Sequence, residues 1–278
     1  KNRAKKENYI IDNKEVLMSK NGNGNGKAVM KKERTLPANI LEQDAVGGLE
    51  GISHDDLATP RLKILMQLSP ELESNEKARA GMIFNTVTGE VYSGKEGILV
   101  LPCSFQRQYV EWEERGHGSG APVNVYSSDS DILQKVTRDQ SNKDRLENGN
   151  YVETCANHFV LLLDKETKSG SPAVITMKST QLKKSRRWNS MMLNLKIQGS
   201  NGPFTPASYS HIYKLTVDKE KNDLGSWFGW NVERVKPLTN QDIYALAREF
   251  ANSVKTGTVK AKPEVEDSAS GKEEVPFL

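Results

Sequence analysis

Asn157-His158-Phe159-Val160-Leu161-Leu162-Leu163 and Ala173-Val174-Ile175-Thr176-Met177 are apolar runs rich in β-branched and aromatic residues. Turn chemistry from Lys165 to Gly170 joins them, and the whole reads as a central β-hairpin. Upstream, Met82–Asn85 and Glu90–Tyr92 flank Thr86-Val87-Thr88-Gly89, a second hairpin-like turn. Ile98–Pro102 is continuously apolar. Phe105–Trp112 alternates, with Phe105, Arg107, Tyr109 and Glu111 on one side. Gly116–Gly120 and the polar stretch to Asn150 read as a long excursion, a loop with a short helix.

Helices frame these strands. Thr59-Pro60 supplies an N-cap and a first-turn proline for a short helix with Leu62, Leu65, Met66 and Ser69 on one face, ended by Pro70. Ser179 caps a second helix to about Lys196, with Trp188, Met191, Met192 and Leu195 as its apolar stripe. Gly199–Pro206 breaks the chain, and Ser208–Val217 and Trp227–Val235 return to strand. Thr239 and Asp242 open a last helix through Val254, burying Ile243, Leu246, Ala247 and Phe250. Strands, one internal helix, two more strands and a terminal helix predict a mainly β, α+β fold. Its form is an elaborated OB-like barrel with one internal and one C-terminal helix.

That domain occupies 57–255 of the 278 residues. Residues 1–56 carry an Asn-Gly repeat from Asn21 to Gly26 and read as disordered, with loose structure at best up to His54. Asn13–Leu17 ahead of Met18 has the form of a translated ribosome-binding sequence, so 1–17 are expected not to be native. Residues 256–278 form an acidic tail. Between Lys262 and Val275 it sets Glu264, Glu266, Asp267, Glu273 and Glu274 against Lys272, with too little apolar surface to fold alone. It closes in a hook of Pro276, Phe277 and Leu278, and an aromatic ending a solvated tail suits a partner's pocket.

Whole-chain charge is only +3 and says nothing about partners. Its distribution does. From Thr167 to Val217 there is no acid, while eight Lys and Arg fall there, a one-sign field suited to a polyanion. Cys103 and Cys155 lack ligand spacing and read as buried free thiols of a reducing compartment. No apolar run is long enough for a membrane helix, so a soluble intracellular protein is expected.

The candidate nucleic-acid contacts follow. Lys178, Lys183, Lys184, Arg186 and Arg187 stand beside Trp188 at a helix start, where side chains and free N–H groups reach phosphates. Phe105, Tyr109, Tyr209, Tyr213 and Trp227 are candidate base-stacking aromatics. Arg107 and His211, within the stripes of Phe105–Tyr109 and Tyr209–Tyr213, favour exposed working faces for both strands. Trp227, Phe228 and Trp230 cannot all face one way, so at least one is core. His54-Asp55-Asp56 has no partner histidines for a metal, and Gly116–Gly120 lacks the Lys of a phosphate loop. Ser119 and Cys155 have no base and orienting group. No enzyme, metal or cofactor is indicated.

Several strings together resemble a family of bacteriophage single-stranded DNA-binding proteins. They are Pro60–Glu71, Phe84–Glu90, Tyr109–Trp112, Ser179–Ser185 with Arg187-Trp188-Asn189, Asn201–Pro206 and Gly225–Trp230. The tip Glu273-Glu274-Val275-Pro276-Phe277-Leu278 is similar to the acidic tail of bacterial single-stranded DNA-binding proteins, with glutamates for aspartates and Leu278 beyond the phenylalanine. The resemblance implies coating of single-stranded DNA without sequence preference in replication or recombination. It also implies recruitment of replication or recombination proteins through Glu273, Glu274, Pro276 and Phe277. No membrane is involved, self-association is compatible with the reading, and the setting is the cytoplasm of an infected bacterium. The alternative is a virion-associated or structural phage protein with a docking tail and no nucleic-acid role.

Overall fold

Tyr151–Leu163 forms a strand of 13 residues that pairs along its whole length with the 15-residue strand Ile98–Trp112. The register runs antiparallel from Leu99 opposite Leu163 to Trp112 opposite Tyr151. These are β8 and β4 of thirteen strands in a computed structural model that describes residues 36–52, 56–114, 120–164, 169–222 and 225–263. The chain divides into two units, before and after Gly51. The first contains one described helix, α1 (Ala38–Gln43), within a stretch expected to be loose.

The expected central hairpin is present, with β9 (Gly170–Lys178) on the free edge of β8. The other edge of β4 is shared. Its start pairs with β12 (His211–Asn222), itself paired with β13 (Gly225–Pro237), and its end pairs with β5 (Asn124–Ser127). A register irregularity between Pro102 and Ser104 falls between these halves, and an extra residue of this kind bends a strand. The result is a curled half-barrel sheet, an OB-like α+β fold of mostly β structure.

A small antiparallel sheet of β1 (Leu62–Ile64), β2 (Ile83–Asn85) and β3 (Val91–Tyr92) spans the open side of this curl. On one side the Val174 amide donates to the Pro60 carbonyl at 2.8 Å; on the other the Val217 amide donates to the Gly94 carbonyl at 2.8 Å. Gly94 must be glycine here, because a Cβ would lie 1.9 Å from the Gly81 carbonyl oxygen. The helix expected from Thr59-Pro60 is therefore wrong. Leu62 and Ile64 bury at a period of two against β2, and this pairing outweighs the local helix signals. Pro70, expected to end a helix, instead stands at the N-cap of a short one, α2 (Glu71–Ser74).

The sheet has two covered faces. Inside lie Val100, Val160, Ile175, Tyr213 and Leu215, closed at one end by Trp188 of α3 (Leu182–Leu193). Outside, Leu101, Phe159 and Leu161 pack against Ala247, Phe250 and Val254 of α4 (Gln241–Lys255). The cap of α4 is Asn240, whose Oδ1 accepts from the Asp242 and Ile243 amides, and not Thr239. Leu246, expected on its buried face, is exposed. Order extends past the expected boundary at 255, since Val259 and Ala261 join the α4 cluster. Both cysteines are buried thiols, and burial pushes that of Cys103 up to about 12. Among the described residues, no helix is long and apolar enough to cross a membrane.

Candidate nucleic-acid interface

Phe105, Arg107 and Tyr109 share the inner face of β4, as their alternation requires. Their surroundings differ. Phe105 packs beside the main core, 5.0 Å from the His158 ring, while Tyr109 belongs to a second cluster with Ile132 and Val152. This second cluster is built by the excursion, which has the short helix expected of it and strands besides. It contains β5, a 3-10 turn at Asp131–Gln134, and a hairpin of β6 (Thr137–Arg138) and β7 (Asp144–Arg145), with β7 paired to the start of β8. Arg107 stands between the two clusters and is exposed.

The gap between the clusters is a cleft of about 880 Å³. Arg107 is on its floor. Arg186 and Leu182, one turn apart on α3, form one wall, and Arg138, Asn142 and Lys143 of the excursion hairpin form the other. Four cations line it against two acids, Asp144 and Glu153. The hairpin cations are engaged: Arg138 donates two hydrogen bonds of 2.7 Å to Asp144, and Lys143 pairs with Glu114 at 3.1 Å. Arg107 and Arg186 have no ion pair among the described residues. Two of the three described non-glycine residues with positive φ, Asn142 at 61° and Ser179 at 46°, also line the cleft. Conformations of that kind concentrate at working sites.

Neighbouring contacts hold the walls. The Gln181 side-chain carbonyl accepts from the Trp230 amide at 2.9 Å, and Lys184 pairs with Glu220 at 2.7 Å, fixing the start of α3 to β13 and β12. Asp139 accepts from Ser141, Lys143 and Arg145, which holds its carboxyl well below the usual range and shapes the hairpin turn. Burial acts to raise the Glu111 carboxyl, but hydrogen bonds from Tyr126 and Asn150, both 2.6 Å, outweigh it and hold the group below its ordinary value.

The sequence candidates divide accordingly. Arg107 and Arg186 meet in the cleft; Lys183 and Arg187 are exposed on the next face of α3. Lys178 is on the outer sheet face, paired with Glu153 at 2.7 Å and 5.7 Å from the centre of the Trp112 ring. The acid-free window is thus partly neutralised in space, because Glu153 and Glu220 lie beyond it in sequence but beside it across the strands.

The aromatic expectations need correction. Tyr109 and Tyr213 are 6% and 1% exposed, so neither offers a ring face to a base. His211 is buried too, with its Nδ1 2.9 Å from the Ser210 hydroxyl, so the expected working face on that strand does not exist. Tyr209 belongs to a 3-10 turn and meets Tyr244 edge-on at 5.0 Å. Trp230 is the core member of its trio, Phe228 packs against it, and Trp227 is half-buried. Phe105 is half-buried as well. Residues 273–277, 54–55 and 116–119 lie outside the described residues.

Sequence reading missed Arg138 and Lys143. Their signal was Thr137-Arg138-Asp139 and Lys143-Asp144-Arg145 either side of Gln140-Ser141-Asn142, mirrored charges about a polar turn.

A family model described as Pam3 phage gp34-like protein matches residues 30–260. That description names a phage protein and no activity. Neither a curated protein nor a solved structure matches the chain.

Proposed function

The chain belongs to the Pam3 phage gp34-like family, and on that footing we propose that it is a single-stranded DNA-binding protein of phage replication or recombination. The observation that carries this reading is the cleft on the inner sheet face. Arg107 and Arg186, from two separate elements, meet there without acid partners among the described residues, and Arg138 and Lys143 stand opposite. A phosphate chain gives such guanidinium groups the partners they lack. Leu133 and Leu182 add apolar surface for bases. Phosphate contacts carry no sequence information, so binding is independent of sequence.

In this reading the protein binds and does not catalyse, takes no cofactor, and works in the cytoplasm of the infected bacterium. Its acidic tail, through Glu273, Glu274, Pro276 and Phe277, recruits a replication or recombination protein. The test is a titration of fluorescent oligo-dT at rising salt. Neutralised phosphates release counterions, so the logarithm of the binding constant should fall linearly with the logarithm of salt concentration. Absence of salt-dependent binding overturns the reading and leaves a virion-associated role with a docking tail.

A further inference from the structure

Among the described residues only two aromatic rings are exposed, Phe204 at 48% and Tyr244 at 38%. Tyr244 is engaged edge-on with Tyr209 and belongs to α4, on the outer face of the sheet. Phe204 is different. It ends the hairpin of β10 (Ile197–Gly199) and β11 (Gly202–Phe204), which follows α3 directly.

One side of the Phe204 ring is fixed by the backbone beneath it. A Cβ at Gly199 would come within 2.9 Å of the ring, so only glycine lets the ring lie there. The rest of the ring is open to solvent. Next to it, Thr205 donates from its hydroxyl to the Leu193 carbonyl at 3.3 Å and accepts from the Lys196 ammonium. These contacts fasten the hairpin to the end of α3 and hold a cation on the residue that follows Phe204.

The cleft lies at the other end of the same helix. Between the two, Lys183, Arg187, Ser190 and Asn194 are exposed at intervals of three or four residues, a polar stripe with two cations. A helix of 12 residues spans roughly 18 Å. A cation-lined groove leading to a rigid aromatic platform is what sequence-independent single-strand binding requires.

We propose that Phe204 is a nucleobase-stacking platform, reached by a single strand that leaves the cleft and follows the exposed stripe of α3. The proposal rests on the single-strand reading above. It assigns stacking to an aromatic outside the residues expected to contact DNA from the sequence. The basic helix then guides a strand between two contact points.

Anisotropy titrations with dT strands of about 4 and about 16 nucleotides, the ends of the usual range for one such domain, test it. The short strand fills the cleft; the long one reaches both points. Phe204→Ala should weaken the long strand by roughly fivefold to a hundredfold and leave the short one unchanged. Phe204→Trp, which keeps a stacking face, should restore long-strand affinity. Equal affinity of Phe204→Ala and wild type for the long strand overturns the proposal, as does an equal loss on both strands. Arg107→Ala with Arg186→Ala separates this failure from that of the underlying reading. Those changes should weaken both strands, and a wild type that binds neither strand overturns both readings.

Discussion

The His158 imidazole lies flat on the Trp188 indole, with centroids 4.4 Å apart and planes 18° from parallel. Its Nε2 is 2.8 Å from the Ser185 hydroxyl. The stack joins the centre of β8 to α3, so the same contact that closes the core also sets the helix carrying Arg186. Trp188 is fully buried, and truncating such a side chain costs about 3–5 kcal/mol.

Acid should loosen this junction. Burial pushes His158 down to about 3, while the unfolded chain titrates near 6.5. Above pH 6.5 both states are neutral there. Between 6.5 and 3 only the unfolded chain takes the proton, so stability falls by about 1.4 kcal/mol per pH unit. His211, also lowered by burial, acts in the same direction. Urea unfolding at pH 7.5 and 5.0 should show the loss in wild type. His158→Asn should be less stable at pH 7.5 but flatter between the two. An unchanged slope would assign the titration elsewhere.

Tyr213 and Tyr109 should behave as core residues. Tyr213 lies 5.9 Å from Trp188, and Tyr109 anchors the excursion through Ile132 and Val152. Replacing Tyr213 with Ala should cost about 3 kcal/mol or more and lower the melting temperature clearly. Tyr109→Ala should destabilise as well. Oligo-dT affinity of the folded fraction is the control. A selective loss of affinity with unchanged melting would restore the stacking role that burial argues against.

The paired arginines of the cleft should act through phosphate. Arg107→Ala with Arg186→Ala removes two cations that have no acid partners among the described residues, so melting should hardly change. For single strands each lost contact flattens the salt slope by about 0.7, giving about 1.4 for the pair. Lys178→Ala, on the outer face and paired with Glu153, should leave the slope unaltered. Equal slopes for all three proteins would remove the cleft as the interface.

The legible part of this fold was its long strands. β4, β8 and β9 announce themselves because each alternates or runs apolar over many residues, and no competing period fits. The Thr59-Pro60 segment misled because β1 has only three residues, too few for a period, and is held by partners distant in sequence. Site residues were legible where strand alternation fixed them, as for Arg107. They were lost where burial depended on what covers a face. Arg107 and Tyr109 share one stripe, yet the excursion covers Tyr109 and leaves Arg107 open. Charge was misread for a related reason. A window free of acids in sequence gains Glu153 and Glu220 across its strands.

The tail should separate charge from recognition. The last described residues, Lys262 and Pro263, lie beside Arg61 and Lys178 on the outer face of the sheet, away from the cleft. Deleting Glu264–Leu278 removes five acids and one Lys, leaving the protein more basic by four charges. Repulsion of phosphate by those acids is long-ranged and screened by salt. Oligo-dT affinity of the truncated protein should therefore rise or stay level, with the difference largest below about 0.05 M salt, where the screening length exceeds about 10 Å. Phe277→Ala keeps every charge, so its DNA affinity should match wild type at all salt concentrations. An aromatic in a pocket dominates an interface this small, so the same change should abolish capture of a replication or recombination protein from infected cells. Recovery of the same proteins by wild type and Phe277→Ala would reduce the tail to a solubilising end. A fall in DNA affinity on deletion would instead place the tail within the binding surface.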